Sequence, residues 1–376
     1  MRNRILRTLS VALLPLAFGC TPQPTAVNSA SSNNTATAPQ PIPAAAISDP
    51  ATAVAALESV TATLRKDPQG SIVEVDLRGK EINDALLGEL SKLPRLRSLI
   101  LSAVKLSDDQ LIPVGQVASL ENLDLRDCPI GDKGLAHLTG LTKLKSLRLS
   151  GKSGVCKVGD DGMQHVGKLL GLKVLAADNL WISEDGLKSL LPLKGLQELY
   201  LAETTVGDDV FELLAQFPAI KKLRLAGNQV SAVGMKSLPK LQQLEELDLS
   251  ECSQILDDAM LPFAELKNLK KLNLWRVNLS DKGIEPLAGL AQLESLNLDN
   301  TRLSDAGMIH LSGMTKLTFL HLGSTLITDG GLNNLHALKS LKDLKLTRTA
   351  VTQKGVDELK QQLPSTAIQL EYMAGE

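Results

Sequence analysis

One pattern governs this chain from residue 72 onward. LENLDLRDCPIGDKGLAHLTGLTK (120–143), LESLNLDNTRLSDAGMIHLSGMTK (293–316) and LTFLHLGSTLITDGGLNNLHALKS (317–340) share the form L-x-x-L-x-L-x-x-x-x-[ILV]-x-D-x-G-[LM]-x-x-L. Units begin at 72, 96, 120, 144, 172, 196, 220, 244, 269, 293, 317 and 341. The period is 24, except that the unit from 144 runs 28 residues and the unit from 244 runs 25. A period of this length implies stacked supersecondary units, because one unit cannot bury its own leucines but neighbours can share a continuous core.

The unit is legible in outline. In L-x-L alternate residues point inward, which is strand periodicity. A hydroxyl-acid step follows, as in Ser280-Asp281, Ser304-Asp305 and Thr328-Asp329. The hydroxyl suits a helix N-cap and the acid complements the helix dipole. Then [GA]-[LM]-x-x-L-x-x-L carries helical spacing. The expected class is therefore α/β, with strand, turn, short helix and turn repeated about twelve times across 71–376. A last strand-like piece, TAIQLEY, lies at 366–372. Aromatics are only 2% while 43% of residues are apolar, which predicts repeated leucine layers in place of one irregular core.

Twelve registered units resemble the leucine-rich-repeat superfamily. The segment LITDGGL at 326–332 is most similar to the 24-residue, cysteine-containing, ribonuclease-inhibitor-like type, found in eukaryotic F-box proteins and in bacterial proteins. The resemblance implies a right-handed horseshoe solenoid with a parallel concave sheet and short convex helices. It also implies that position nine of each unit hydrogen-bonds the turn. Thr204, Asn228, Thr301, Thr325 and Thr349 fill that position here, and Cys128 fills it in the third unit. A role as an F-box-like ubiquitin-ligase substrate receptor is not expected, since no F-box-like helical region precedes the array and the N-terminus directs export. It would also be an analogy from fold alone.

That N-terminus reads as a targeting segment. MRNRILR carries three arginines and TLSVALLPLAFG is a short apolar run ending at Cys20. The run is too short to span a bilayer, and the arrangement is that of a signal peptide over 1–19. LAFGC resembles a bacterial lipobox, with the departure that the usual leucine lies one place early, at Leu16, leaving Ala17 in its position. Lipid attachment at Cys20 is the expectation, with plain secretion or a periplasmic protein as the alternative. Residues 20–48 are rich in Pro, Ser, Thr, Asn and Ala and uncharged up to Ser48, which predicts a disordered tether. It would span roughly 30 Å. Residues 49–70 read as an N-terminal capping helix, with Asp49 as cap, Pro50 in the first turn, and a stripe of Val54, Leu57, Thr61 and Leu64.

SGKSGV at 150–155 imitates part of a Walker loop, but that loop needs glycine at 146, where Ser146 stands, and a helix opening at Lys152-Ser153. In repeat register the segment is a lengthened strand-to-helix loop with the helix near Asp160, so no nucleotide is expected. The net charge of −2 gives no electrostatic case for nucleic acid. No catalytic constellation, cofactor motif or metal-ligand spacing is visible. His137, His165, His310 and His336 fall on the outer helices. Acidic steps such as Asp160-Asp161 and Asp257-Asp258 are attributed to capping, not calcium. Beyond Cys20 the cysteines are Cys128, Cys156 and Cys252, an odd number. A Cys128–Cys156 bridge pinning the long loop, or three buried or free thiols, both remain open.

Residues flanking the strand leucines are not dictated by packing, so they are the candidate contacts. The sheet should run roughly 55–60 Å at 4.8 Å per strand. Tyr200, Lys222 and Arg224 form a middle group. Toward the C-terminus lie Lys271, Asn273, Trp275 and Arg276 on one strand, then Phe319 and His321, then Lys345 and Arg348, with Asp299 and Asp343 among them. Aromatics beside arginine are the usual composition of binding hot spots. The expected function is an envelope-anchored module, a monomer, that holds a protein or peptide on its concave face. Cell-wall polymer recognition and a passive scaffold are the alternatives, and the 151–158 loop is an alternative surface.

Overall fold

A computed structural model describes residues 48–371. The signal peptide, Cys20 and the tether up to residue 47 lie outside the described residues, as do residues 372–376. The strands are β1 (Thr63–Lys66), β2 (Ile72–Asp76), β3 (Ser98–Ile100), β4 (Asn122–Asp124), β5 (Ser146–Ser150), β6 (Val174–Asp178) and β7 (Glu198–Tyr200). They continue as β8 (Lys222–Arg224), β9 (Glu246–Asp248), β10 (Lys271–Asn273), β11 (Ser295–Asn297), β12 (Phe319–His321), β13 (Asp343–Lys345) and β14 (Ala367–Gln369). All belong to one sheet in sequence order. From β2 onward the pairing is parallel and in register, so Leu247, Leu272, Leu296, Leu320 and Leu344 face one another rung by rung. This is the α/β solenoid, with the sheet on one side and short helices on the other.

The convex segments vary along the array. Asp132–Ala136 and Asp160–Val166 are α-helical, whereas Asp257–Glu265, Glu285–Gly289, Gly307–Leu311 and Asp329–Leu335 are 3-10 turns. Pro262 lies inside the first of these 3-10 segments and Pro286 opens the second, and each lacks the N–H an α-helix would use. The core is mostly leucine, but Phe211, Phe217 and Phe263 are fully buried in it, so three of the chain's five phenylalanines fill layers that low aromatic content had assigned to leucine alone.

The N-terminal segment departs from the expected single helix over 49–70. Helix α1 covers only Ala51–Ser59, and Thr61 turns the chain with φ +52°. The chain then returns as β1, antiparallel to β2. Asp49 does not cap α1. Its Oδ2 accepts the Ile72 backbone N–H at 2.6 Å, tying the segment to the first repeat. Of the predicted stripe only Leu57 is buried, joined by Ala53.

The acidic step also does something other than capping. Asp281 Oδ1 accepts the Ser304 N–H at 2.7 Å and its Oδ2 accepts the Ser304 hydroxyl at 2.6 Å, one repeat later. Asp160 with Ser183, Asp208 with Ser231, Asp257 with Ser280, Asp305 with Thr328 and Asp329 with Thr352 repeat the arrangement. The acid is a staple between repeats, and it explains the glycine of the D-x-G motif. A Cβ on Gly307 would lie 2.5 Å from Asp281 Oδ1, and one on Gly331 would lie 2.6 Å from Asp305 Oδ1. Where the staple is missing, at Ala232, the next repeat carries Ala259 in the glycine's place.

Position nine behaves as the resemblance implied. Thr301 and Thr325 hydroxyls donate to Leu298 and Leu322 carbonyls. Asn228 Nδ2 donates to the Leu201 and Leu225 carbonyls. The thiols of Cys128 and Cys252 donate to Leu101 and Leu225. All three described cysteines are free and buried. Burial pushes the Cys128 thiol up to about 12 and the Cys252 thiol to about 11. Cys156, after the extra residues of the long loop, resumes position nine and is 4% exposed, with Val158 fully buried at position eleven. The loop is also held at Ser153, whose N–H donates to Asp127.

Candidate functional site

The eleven candidate residues separate into two adjacent depressions on the sheet side. The first, about 340 Å³, runs across β7 to β12 and is lined by Tyr200, Lys222, Arg224, Lys271, Asn273 and Phe319 among others. Its floor includes Leu223, Leu247 and Leu272, and its two ends are the aromatic rings of Tyr200 and Phe319. Phe319 meets His321 edge-on, with centroids 6.4 Å apart. The second, about 530 Å³, is lined by Trp275, Arg276, His321, Lys345 and Arg348 with Asn297, Asp299, Asn300, Ser324 and Thr347. Trp275, Arg276 and Arg348 are not on strands as expected; they lie in the turns beyond β10 and β13. Arg276 and Arg348 both hold φ +56°. They occupy position eight, where residues 79, 103, 127, 179, 203, 227, 251, 300 and 324 are also left-handed.

The charges of the first depression are paired within the sheet. Lys222 sits between Glu198 at 3.1 Å and Glu246 at 3.7 Å. Lys271 reaches Glu246 at 3.1 Å. Arg224 bridges Asp178 at 2.9 Å and Asp248 at 3.4 Å. The Tyr200 hydroxyl donates to Glu198 at 2.8 Å. Parallel in-register stacking sets Glu198, Lys222, Glu246 and Lys271 side by side with alternating sign and Arg224 beside Asp248, while Asp178 reaches Arg224 diagonally from two repeats away. Burial pushes the Glu198 carboxyl up, but the hydrogen bonds from Tyr200 and Lys222 outweigh it and its pKa is lowered. Burial, with the Glu198 carboxylate beside it, holds the Tyr200 phenol well above its ordinary range. Burial also raises the Asp178 carboxyl, against the pull of the Ala202 N–H and Arg224.

The acidic partners Asp178, Glu198, Glu246 and Asp248 were not singled out in the sequence, although Glu198, Glu246 and Asp248 each flank a strand leucine and Asp178 ends β6. In the second depression Arg276 pairs with Glu251 at 2.9 Å, and its guanidinium lies 5.3 Å from the Trp275 ring centroid. Trp181 was also passed over. It is 77% exposed and lies beside the long loop, through the bridge Gly159↔Trp181. Its signal was legible, since the apolar residue at position ten precedes the buried Ile182.

Chemically, these surfaces offer shape, paired charge and aromatic edges. Among the described residues no group of three or more His, Cys, Asp and Glu is placed to hold a metal ion. The outer histidines His137, His165, His310 and His336 are half-buried on the convex side.

A family model described as Leucine Rich repeat matches residues 118–138. No curated protein matches the chain in sequence. Among solved structures, an internalin from Listeria monocytogenes superposes with a TM-score of 0.60 at 22% identity, covering 88% of this chain and 92% of that one. At that identity the likeness speaks to the fold. Repeat, family model and architecture together make the chain a leucine-rich-repeat solenoid.

Proposed function

We propose that this chain is a protein-binding module of a bacterial cell envelope, exported by its N-terminal segment and anchored through a lipid on Cys20. The observation that carries the binding reading is the first depression, a groove on a rigid sheet with Tyr200 at one end and Phe319 at the other. Aromatic rings at a fixed separation give hot-spot contacts at low entropic cost. The ion pairs between them are already formed, so a partner reads a fixed pattern of alternating charge instead of neutralising a charged patch. The fold comparison supports a surface built by stacked repeats and says nothing of the partner.

The test is retention. Immobilised protein is exposed to a detergent extract of the envelope of the cells that make it, beside a Tyr200→Ala, Phe319→Ala variant. A protein held by the parent and lost by the variant supports the reading. Equal retention by both moves the contact off this groove, and no retained protein sinks it in favour of a scaffold. The anchor is checked separately: Cys20→Ala should release the protein from the membrane fraction, and unchanged fractionation would remove the lipid from the account.

A further inference from the structure

The junctions between repeats are not all made alike. Outside the sheet, two kinds of hydrogen bond join one repeat to the next. One is the staple, in which an acid at position thirteen accepts the N–H at position twelve of the following repeat. Asp108 with Gly131, Asp132 with Gly159 and Glu184 with Gly207 extend the series given above. The other is a rim bond, in which the N–H at position ten donates to the carbonyl at position eleven of the preceding repeat. Thr205 to Ile182, Arg302 to Leu279 and Leu326 to Leu303 are examples. Between Asp108 and Thr352 one junction has neither among the described residues, that between the repeats from 220 and from 244. Ala232 stands where the acid would be, and Leu256 where the hydroxyl would be. The Leu256 and Gln254 N–H groups find no acceptor among the described residues. Gln254 meets Gln229 only through its side chain, at 3.2 Å.

Other features collect at the same place. The repeat from 244 carries one residue more than the period. The convex segment passes here from the α-helix Ala232–Met235 to the 3-10 segment Asp257–Glu265, a change of winding that often marks a hinge. Val233, Leu256 and Leu261 are exposed around it, so apolar packing does not replace the staple at the surface. The sheet side is intact. Strands β8 and β9 pair in register, and Lys222 and Arg224 meet Glu246 and Asp248 across the junction. On the opposite rim Asn268 Nδ2 donates to the Gln242 carbonyl at 2.9 Å. Two sides are bonded and the third is not, which defines an axis.

We propose that this junction is a hinge: the repeats up to residue 243 and those from 244 turn relative to one another about β8 and β9, opening and closing the rim at Ala232 and Leu256. The groove between Tyr200 and Phe319 lies over the axis, so its floor and its ion pairs stay joined. What changes is the angle between the block that carries the long loop and the block that carries the second depression. The hinge concerns the scaffold and does not rest on the protein-binding reading. Distances between nitroxide labels test it, in the full chain with Cys20→Ala, since Cys128, Cys156 and Cys252 are buried and withhold their thiols. Lys133→Cys with Asp209→Cys spans three repeats within one block, and Asp209→Cys with Lys282→Cys spans three repeats across the junction. All three residues are exposed, at position fourteen of their units. Dipolar spectra should show a distance distribution about twofold wider for the second pair. Ala232→Asp, Leu256→Ser and Ala259→Gly together rebuild the staple, and should narrow that distribution to the width of the first pair, which stays as it was. Equal widths in the parent would overturn the proposal, whether or not the rebuilt chain folds. So would a wide second distribution that a folded, rebuilt chain retains.

Discussion

At the residue scale the molecule is held by a few side chains used repeatedly. The staple from Asp281 to Ser304 satisfies a backbone N–H and a hydroxyl at once. Asp281→Ala is expected to lower stability by about 1–2 kcal/mol, read from urea unfolding, because both donors lose their partner. Gly307→Ala alone should also destabilise, since its Cβ would press on the carboxylate. The two are coupled: with Asp281 already replaced, Gly307→Ala should cost less than in the parent, while Leu303 Cδ1 at 2.6 Å and the Cα of residue 281 at 3.0 Å still crowd the new Cβ. Additive losses in the double-mutant cycle would separate the acid from the glycine. A second residue-scale expectation concerns acid. Glu245 is paired with Lys221 at 2.8 Å and Lys270 at 2.7 Å. Its hydrogen bond from Lys221, then that from Lys270, holds the carboxyl down at about 2, from an ordinary 4.5. Its contribution is therefore fully present above the ordinary value and lost as pH falls through about 2. Glu245→Gln should lose less urea stability between pH 5 and 2 than the parent does, and identical slopes would refute that assignment.

At the element scale the array tolerates change in its loops and little in its ends. The long loop adds Lys152, Ser153, Gly154 and Val155 between Gly151 and Cys156, after which the buried positions resume in register. Deleting these four residues restores the 24-residue period, and stability should move by less than about 1 kcal/mol, since loop length enters only logarithmically. A large loss on chemical unfolding would mean that the loop braces its neighbours. The N-terminal end is different. Helix α1 buries Ala53 and Leu57, and β1 covers the open edge of β2. A chain lacking 49–66 presents an unpaired strand and exposed leucines, and should self-associate in sedimentation. A well-behaved monomer would show that the first repeat closes itself. The capping hairpin was only half legible, because Thr63–Lys66 has no helical stop before it and pairs with a strand that lies beyond the turn.

At the scale of the whole molecule, the core is continuous and each repeat touches mainly its neighbours, so stability should be distributed as a chain of nearest-neighbour terms. Backbone amides of the central strands β6 to β11 should exchange slowest, and those of β1 and β14 fastest. Uniform protection along the array would indicate a single cooperative block. The concave surface divides in the same manner. Its middle is neutralised strand against strand, while its C-terminal end keeps a polar depression lined by Trp275, Asp299, His321 and Thr347. Lys222, Arg224 and Lys271, read along the chain, were candidate contact residues. Stacked, they are partners of Glu198, Asp178, Asp248 and Glu246.

The 24-residue period alone determined that units stack in chain order with their leucines inward, and the resemblance it carries implied the turn role of position nine. Each unit states its own strand and turn, and units stacked in sequence leave no topology to choose. Only the tertiary structure decided what the side chains of different units do to one another. Asp281 and Ser304 are 23 residues apart, and Asp178 and Arg224 are 46 apart. Local pattern shows that an acid recurs, but not that it reaches across to the next repeat. It shows a glycine at 323, but not that Asp299, His321 and Thr347 close over it. Those outcomes depend on the spacing of stacked strands and the reach of side chains, which exist only once the coil has closed on itself.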